Sequence, residues 1–125
     1  MDKLMKVLVV DDSETNLVLL EAILGDEGFD VKTSYTVKEA IELLGDYLPD
    51  LILLDLLMPN ENGFDMLKKL RLNTQYSKIP VIIVTAFANK ENSAMAFDLG
   101  AIDLIEKPID IQLFLDKVHK ALKIA

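Results

Sequence analysis

Five short apolar runs, separated by amphipathic stretches of helical length, constrain this chain more than any other feature of its sequence. Most runs are rich in β-branched residues or leucine, and all have the length of a strand: Val7–Val10, Val31–Tyr35, Leu51–Leu54, Val81–Val84 and Ala101–Ile105. Regular alternation of strand and helix predicts right-handed crossovers and a parallel sheet with helices on both faces.

Apolar residues at three- and four-residue spacing predict the buried side of each helix. In the five successive helices they are Leu17, Leu20, Ile23 and Leu24; Ala40, Ile41 and Leu44; Leu67 and Leu70; Met95 and Leu99; and Leu113, Val118 and Leu122. Ser13 and Thr36 are suited to cap the first two helices, Gly28 follows the first, and Gly100 ends the fourth.

Composition limits the classes of function. The 125 residues suffice for one domain with a real core, and the chain has no cysteine and a single histidine, so disulfides, thiolate metal sites and multi-imidazole sites are excluded. A net charge of −8 disfavours direct nucleic-acid binding. The N-terminus is too charged for a signal peptide and no run reaches about 18 apolar residues, so we expect a cytoplasmic protein without a membrane segment.

Polar residues follow four of the five predicted strands. Asp11 and Asp12 follow the first, Asp55 the third, Thr85 the fourth and Lys107 the fifth. With the strand order 2-1-3-4-5, these four strand ends surround one pocket at the carboxyl edge, where open α/β sheets bind ligands. Clustered carboxylates repel unless a cation is present, and oxygen ligands suit Mg²⁺.

A structural interpretation of these acids is that they cap a helix and begin a loop. It leaves unexplained why Asp55 directly follows the apolar run Leu51–Leu54, and why Lys107 stands at the end of another strand.

Four motifs together resemble the receiver domains of bacterial two-component response regulators, of the chemotaxis-regulator type. They are Leu-Val-Val-Asp-Asp at 8–12, Leu-Leu-Asp-Leu-Leu-Met-Pro at 53–59 with Gly63, Val-Thr-Ala at 84–86 and Lys-Pro at 107–108. The match covers essentially the whole chain, in order. The resemblance implies an α/β fold: a single doubly wound (βα)5 flavodoxin-like domain over residues 1–125, with a parallel five-stranded sheet in the order 2-1-3-4-5.

The resemblance also implies a magnesium-dependent phosphoacceptor. Asp55 would accept a phosphoryl group from a phosphohistidine, giving an acyl phosphate. Asp12, Asp55 and the backbone carbonyl of Leu57 would bind Mg²⁺ directly, and Asp11 would act mainly through a metal-bound water.

The remaining implied roles concern the attached phosphoryl group. Lys107 would pair with one of its oxygens, while the Thr85 hydroxyl and the backbone N–H groups of Leu57 and Ala86 would bond the others. Thr85 would move towards these acceptors and bias the fourth helix and fifth strand between two packings. The second switch position is Leu104, where the family often has an aromatic residue.

The implied partners are proteins. The donor would be a sensor histidine kinase or a histidine phosphotransfer protein. The face formed by the fourth helix, fifth strand and fifth helix would bind a downstream protein, an output domain absent from this chain, or a second copy in a phosphorylation-dependent homodimer. Such a chain is a signalling switch without dedicated substrate turnover, acting either alone or as part of a longer protein.

Three other functions fit less well. Phosphatases resembling haloacid dehalogenases place a second aspartate two residues after the nucleophile, where this chain has Leu57. A pseudo-receiver is expected to lose part of the acidic pair, the acceptor or the lysine, and all are present here. A flavodoxin-like cofactor binder is disfavoured by acids where a phosphate would lie.

Several other residues are interpreted structurally. We expect His119 and the basic segment Lys68–Arg71 to lie on solvated helix faces. Pro59 is suited to the turn after Asp55, and Gly63 to the loop before the third helix.

Apolar residues stand two positions beyond the acceptor and beyond the threonine, at Leu57 and Phe87, where many relatives have polar or charged side chains. Apolar side chains there should hinder the hydrolytic water, so we expect a long-lived phosphoryl state. We therefore expect Leu57→Asn to speed phosphate loss, followed as decay of the phosphorylated mass. An unchanged rate of loss in that variant would contradict this expectation.

Overall fold

The structure, a computed structural model, describes residues 4–58 and 61–124, and only the backbone of Leu57 and Glu61. Pro59 lies outside the described residues. The elements follow in the order β1 (Lys6–Val10), α1 (Glu14–Asp26), β2 (Asp30–Ser34), α2 (Val37–Leu44), β3 (Leu51–Leu54), β4 (Leu57–Met58), β5 (Glu61–Asn62), α3 (Gly63–Leu72), β6 (Val81–Thr85), α4 (Lys90–Asp98), β7 (Asp103–Glu106) and α5 (Ile111–Leu122).

Five parallel strands form the main sheet in the order β2-β1-β3-β6-β7. Because β6 and β7 are the fourth and fifth predicted strands, the predicted order 2-1-3-4-5 is confirmed. The chain first runs from β1 outward to β2, then crosses back past β1 to β3 and continues outward to β6 and β7, so the strand order reverses between β1 and β3. That reversal opens a crevice at the carboxyl edge of the sheet.

Each face of the sheet is covered by its own apolar layer. In β1, Leu8 and Val10 belong to one layer and Val7 and Val9 to the other, as the two-residue period of a strand requires. Helices α2, α3 and α4 cover the first face with the buried residues Ala40, Leu44, Leu67, Leu70 and Ala96. Helices α1 and α5 cover the second with Leu17, Leu20, Leu24, Phe114, Val118 and Leu122. The fold class is therefore α/β with helices on both faces, as predicted.

The predicted helix caps are confirmed. The Ser13 hydroxyl accepts from the backbone N–H of Asn16 at 3.3 Å, and Thr36 accepts from that of Glu39 at 3.0 Å. These bonds satisfy N–H groups that have no partner within the helix. Gly100, at φ +99°, ends the turn after α4.

The fifth strand was predicted too early, at Ala101–Ile105. Ala101 instead closes the turn after α4, since its N–H donates to the Ala96 carbonyl at 3.0 Å. The strand β7 therefore begins at Asp103. A second difference is the antiparallel pair of β4 and β5, in which Leu57 lies opposite Asn62. Strands of two residues are too short to produce a sequence pattern.

The prediction that Met95 and Leu113 lie on buried helix faces was wrong. Met95 and Leu113 are each 50% exposed, whereas the next residues, Ala96 and Phe114, are fully buried. One position rotates a side chain by about 100° around a helix. The small side chain of Ala96 is therefore the one that packs under α4.

Two basic side chains expected on solvated faces pack against the protein instead. The Arg71 guanidinium donates to the carbonyls of Ser77, Ile79 and Gly100 at 2.9–3.0 Å. Burial lowers the pKa of Arg71. His119 Nε2 lies 3.1 Å from Glu27 Oε1. Both side chains therefore bind residues at helix ends and in loops instead of extending into solvent.

Gly63 begins α3 against the loop that follows β3. A Cβ there would lie 2.4 Å from the Asp55 carbonyl oxygen and 2.8 Å from the Leu56 Cα, both backbone atoms. We therefore expect Gly63→Ala to lower the free energy of unfolding by about 1–3 kcal/mol, measured by urea denaturation.

Gly25 in α1 is the matched control, because a Cβ added there has nothing within 4 Å. We expect Gly25→Ala to raise stability by about 0.5–1 kcal/mol, since alanine is the better helix former. Equal effects of the two substitutions would contradict the close packing at Gly63.

Candidate functional site

Backbone pairing brings the ends of four strands together at the carboxyl edge. The Asp55 N–H donates to the Val10 carbonyl at 3.0 Å, and the Lys107 N–H donates to the Thr85 carbonyl at 2.9 Å. These bonds extend the pairing of β1 with β3 and of β6 with β7 by one residue beyond the strands. The predicted residues therefore follow their strands into one crevice in fixed register.

An ammonium lies between two buried carboxylates in this crevice. Lys107 Nζ is 2.9 Å from Asp11 Oδ2 and 3.1 Å from Asp55 Oδ2, and the two aspartates are only 2% and 6% exposed. Burial alone would lower the pKa of Lys107, but its hydrogen bonds to Asp11 and Asp55 and their charges outweigh burial and raise it. Lys107 is therefore a cation at any physiological pH.

Three carboxylates form an oxygen cluster. Asp11, Asp12 and Asp55 each offer one oxygen, and these oxygens all lie within 4.8 Å of one another. Asp12 is the exposed member. Desolvation, followed by the negative charge of Asp11, raises the pKa of Asp12. Three negative charges against one positive charge leave a local charge of −2, which a divalent cation would balance.

The donor set fits Mg²⁺. All three candidate side-chain ligands are hard oxygens, and the exposed side of Asp12 leaves room for the waters that Mg²⁺ retains. Asp11 is oriented by protein donors, since its Oδ1 accepts from the Ser13 N–H at 2.9 Å and its Oδ2 from Lys107. Its predicted action through a metal-bound water stays a prediction.

Thr85 is fully buried at the end of β6. Its Oγ1 accepts a hydrogen bond from the backbone N–H of Phe87 at 3.2 Å, and the Phe87 carbonyl accepts one from Asn92 Nδ2 at 2.8 Å. Asn92 was not among the predicted site residues. The only signal for it was an asparagine three residues after the polar residue Asn89, which caps α4.

The structure also locates three further predicted positions. Leu57 begins β4, Ala86 follows β6 and is exposed, and Leu104 is half-buried in β7. Leu104 packs against the layer under α2, α3 and α4, and its carbonyl accepts from Lys117 Nζ at 2.8 Å. The side chain of Leu57 lies outside what the structure describes, and the roles assigned to these three residues stay predictions.

Comparison with known sequences identifies the family of this chain. The sequence model of the response regulator receiver domain matches residues 7–119. The chain belongs to this family. It is 39% identical over 114 residues to the response regulator PleD of Caulobacter vibrioides, covering 91% of this chain and 25% of PleD. It is 36% identical over 118 residues to the transcriptional regulatory protein CpxR of Escherichia coli, covering 94% of this chain and 49% of CpxR.

Solved receiver domains have the same fold. A CheY-like response regulator receiver domain protein from Methanospirillum hungatei superposes with a TM-score of 0.90 at 29% identity, covering 97% of this chain and 95% of that one. Vibrio cholerae CheY4 gives 0.90 at 28% identity, covering 95% and 99%. Receiver domains serve phosphorylation-dependent signalling and generally bind Mg²⁺ in an acidic pocket, and this receiver domain has such a cluster of aspartates.

The chain spans only a quarter to a half of the curated relatives it matches. What those longer proteins do as a whole is therefore said of them alone. Within the described part of this receiver domain, every helix is too short or too polar to cross a bilayer.

Mg²⁺ should stabilise this receiver domain, because it offsets repulsion among Asp11, Asp12 and Asp55. At a Mg²⁺ concentration a hundred times the dissociation constant, the gain would be about 2.7 kcal/mol. We expect Asp12→Asn to raise the thermal midpoint without Mg²⁺ and to weaken the response to Mg²⁺. Thermal unfolding followed by circular dichroism measures both effects.

The pH dependence has a definite sign. A raised pKa of Asp12 in the folded state favours folding below the ordinary value of 3.8, and this contribution is lost as the pH rises through the raised value. The stabilisation by Mg²⁺ should therefore be larger near pH 7 than near pH 4. Asp46→Asn, at an exposed acid outside the cluster, is the control. A response to Mg²⁺ in Asp12→Asn equal to that of the wild type would contradict the assignment.

Proposed function

We propose that residues 1–125 form one receiver domain that acts in the cytoplasm as a switch, with Asp55 as the phosphoacceptor. The observation that carries this proposal is the buried Asp55 carboxylate, 3.1 Å from the Lys107 ammonium and within 4.8 Å of two further carboxylates. A carboxylate so placed can attack phosphorus while neighbouring charges offset those of the incoming group.

The donor is a phosphohistidine on a sensor histidine kinase or on a histidine phosphotransfer protein. An Asp55 oxygen forms a bond to phosphorus as the phosphorus–nitrogen bond breaks, and the bonding electrons return to the imidazole nitrogen, which takes up a proton. The product on Asp55 is an acyl phosphate. Mg²⁺ bound by Asp12, Asp55 and the Leu57 carbonyl, with Asp11 acting through water, would neutralise charge between the carboxylates and the phosphoryl oxygens.

Lys107 is already at the site before phosphorylation. Its raised pKa keeps it charged, so it can exchange its contact with Asp55 for a phosphoryl oxygen while it retains Asp11. The backbone N–H groups of Leu57 and Ala86 and the Thr85 hydroxyl would bond the other oxygens.

The signal leaves the site through the loop that follows Thr85. Movement of Thr85 would bias α4 and β7, with Leu104 as the second switch position, and alter the face formed by α4, β7 and α5. Exposed apolar side chains on or next to these elements are Met95 and Phe97 in α4 and Ile102 just before β7. The partner of that face is a downstream protein, an output domain outside this chain or a second copy of the phosphorylated domain.

Incubation with acetyl phosphate and Mg²⁺ should add one phosphoryl group, about 80 Da in intact mass. The gain should disappear in Asp55→Asn and in the wild type when Mg²⁺ is chelated. Asp46→Asn is the matched control and should gain mass like the wild type.

The donor must be tested before a negative result counts. If the wild type gains no mass from a competent histidine kinase either, Asp55 is not a phosphoacceptor. The chain would then be an interaction module that uses the same fold without phosphorylation.

A further inference from the structure

The loop between β6 and α4 contains two consecutive hydrogen bonds that share one residue, Phe87. Its N–H donates to Thr85 Oγ1 at 3.2 Å, and its carbonyl accepts from Asn92 Nδ2 at 2.8 Å. The functional site therefore holds one side of Phe87, and the first turn of α4 holds the other. We propose that Asn92 is a positioning residue. It would transmit to α4 whether the Thr85 hydroxyl is bonded to the Phe87 N–H or has shifted towards a phosphoryl group on Asp55. This inference rests on the proposed phosphorylation of Asp55.

The first bond of this Thr85–Phe87–Asn92 relay is sensitive to the site. Thr85 is fully buried, and β6 lies beside β3, with Ile83 opposite Leu54, so its hydroxyl is at the same edge as Asp55. A phosphoryl group on Asp55 would introduce strong acceptors for this hydroxyl. At 3.2 Å the bond from the Phe87 N–H is already long, so a shift of Thr85 towards the new acceptors would break it. The Phe87 peptide then has to move to find another partner, because an unsatisfied N–H is costly.

The second bond transfers that movement to the helix. The backbone N–H of Asn92 donates to Asn89 Oδ1 at 2.8 Å, which is the N-cap of α4. Asn92 is thus held by the cap through its backbone and by Phe87 through its side chain. Displacement of the Phe87 carbonyl must either break the Asn92 side-chain bond or rotate the first turn of α4.

The residue type at position 92 supports this role. An aspartate in the first turn would interact better with the helix dipole, but a carboxylate has no hydrogen to donate to a carbonyl. The carboxamide of asparagine supplies this hydrogen, which an aspartate of the same shape could not. Asn92 also lines a cleft of about 400 Å³ between α3 and α4, together with Phe64 and Met95. The relay would therefore change a surface that a partner can reach.

The test compares hydrogen exchange in residues 90–98 before and after acetyl phosphate and Mg²⁺, with intact mass recorded on the same samples. In the wild type, loss of one hydrogen bond should change exchange in the first turn of α4 about fivefold. Asn92→Ala should be phosphorylated to the same extent, since Asn92 is not among the acids or the lysine of the site. Its exchange should no longer respond to phosphorylation.

Asn89→Ala is the matched control for a merely structural role. It removes the cap and loosens α4, but it leaves the Asn92 side-chain bond in place, so its exchange should still respond to phosphorylation. A second measurement needs no phosphorylation. Thr85→Val removes the hydroxyl while keeping the shape, and it should shift the NMR signals of the Asn92 side-chain amide.

The relay would be overturned if phosphorylated Asn92→Ala responded like the wild type, or if Thr85→Val left the Asn92 amide signals in place. Equal loss of the response in Asn89→Ala would reduce Asn92 to a helix-stabilising residue. Absence of any mass gain in the wild type, both with acetyl phosphate and with a competent histidine kinase as donor, would instead refute the proposed function, and the relay as a regulatory device with it.

Discussion

The ammonium of Lys107, placed between Asp11 and Asp55, is the interaction on which the site depends. Without it, two carboxylates this deeply buried would repel each other with no positive charge beside them. Lys107 comes from the far side of the crevice, because β6 separates β3 from β7 in the sheet. Its side chain must therefore reach past the end of β6, where Thr85 lies. One ion-pair network thus joins the residues that follow β1, β3 and β7.

This network leaves a net negative charge at the site. That charge imbalance makes the site a candidate switch. One ammonium faces three carboxylates, so the site favours a divalent cation, and in the proposed switch that cation would offset the added phosphoryl charge. Asp11 keeps Lys107 in place through a contact that phosphorylation of Asp55 would not remove. In the proposed switch the same lysine therefore serves both states, and Thr85 is the group whose hydrogen bond changes.

Most of the site was predictable because its signals are local. A polar residue directly after an apolar strand marks the carboxyl edge of a parallel sheet, and this reasoning located Asp11, Asp55, Thr85 and Lys107 before any contact was known. Contacts to backbone atoms leave no such signal. Arg71 and Asn92 both bind carbonyls, which every residue has, so only the tertiary placement of those carbonyls reveals them. The prediction that Met95 lies on the buried side of α4 was wrong for a related reason. The buried residue is the small Ala96, and which residue is buried depends on how closely the helix packs against the sheet.

The residue at position 104 bears on why the proposed switch passes its signal through the loop after β6. An aromatic residue with a hydroxyl at that position could couple to the site through its own movement, but leucine has no polar group, and here it packs half-buried in β7. In the proposed relay, Phe87 couples the site to α4 through its peptide group instead of its side chain. Both partners of that peptide lie on or beside regular elements, Thr85 at the end of β6 and Asn92 within α4. Because packed elements shift between discrete arrangements rather than deform continuously, a small displacement of Thr85 can select a different position for α4.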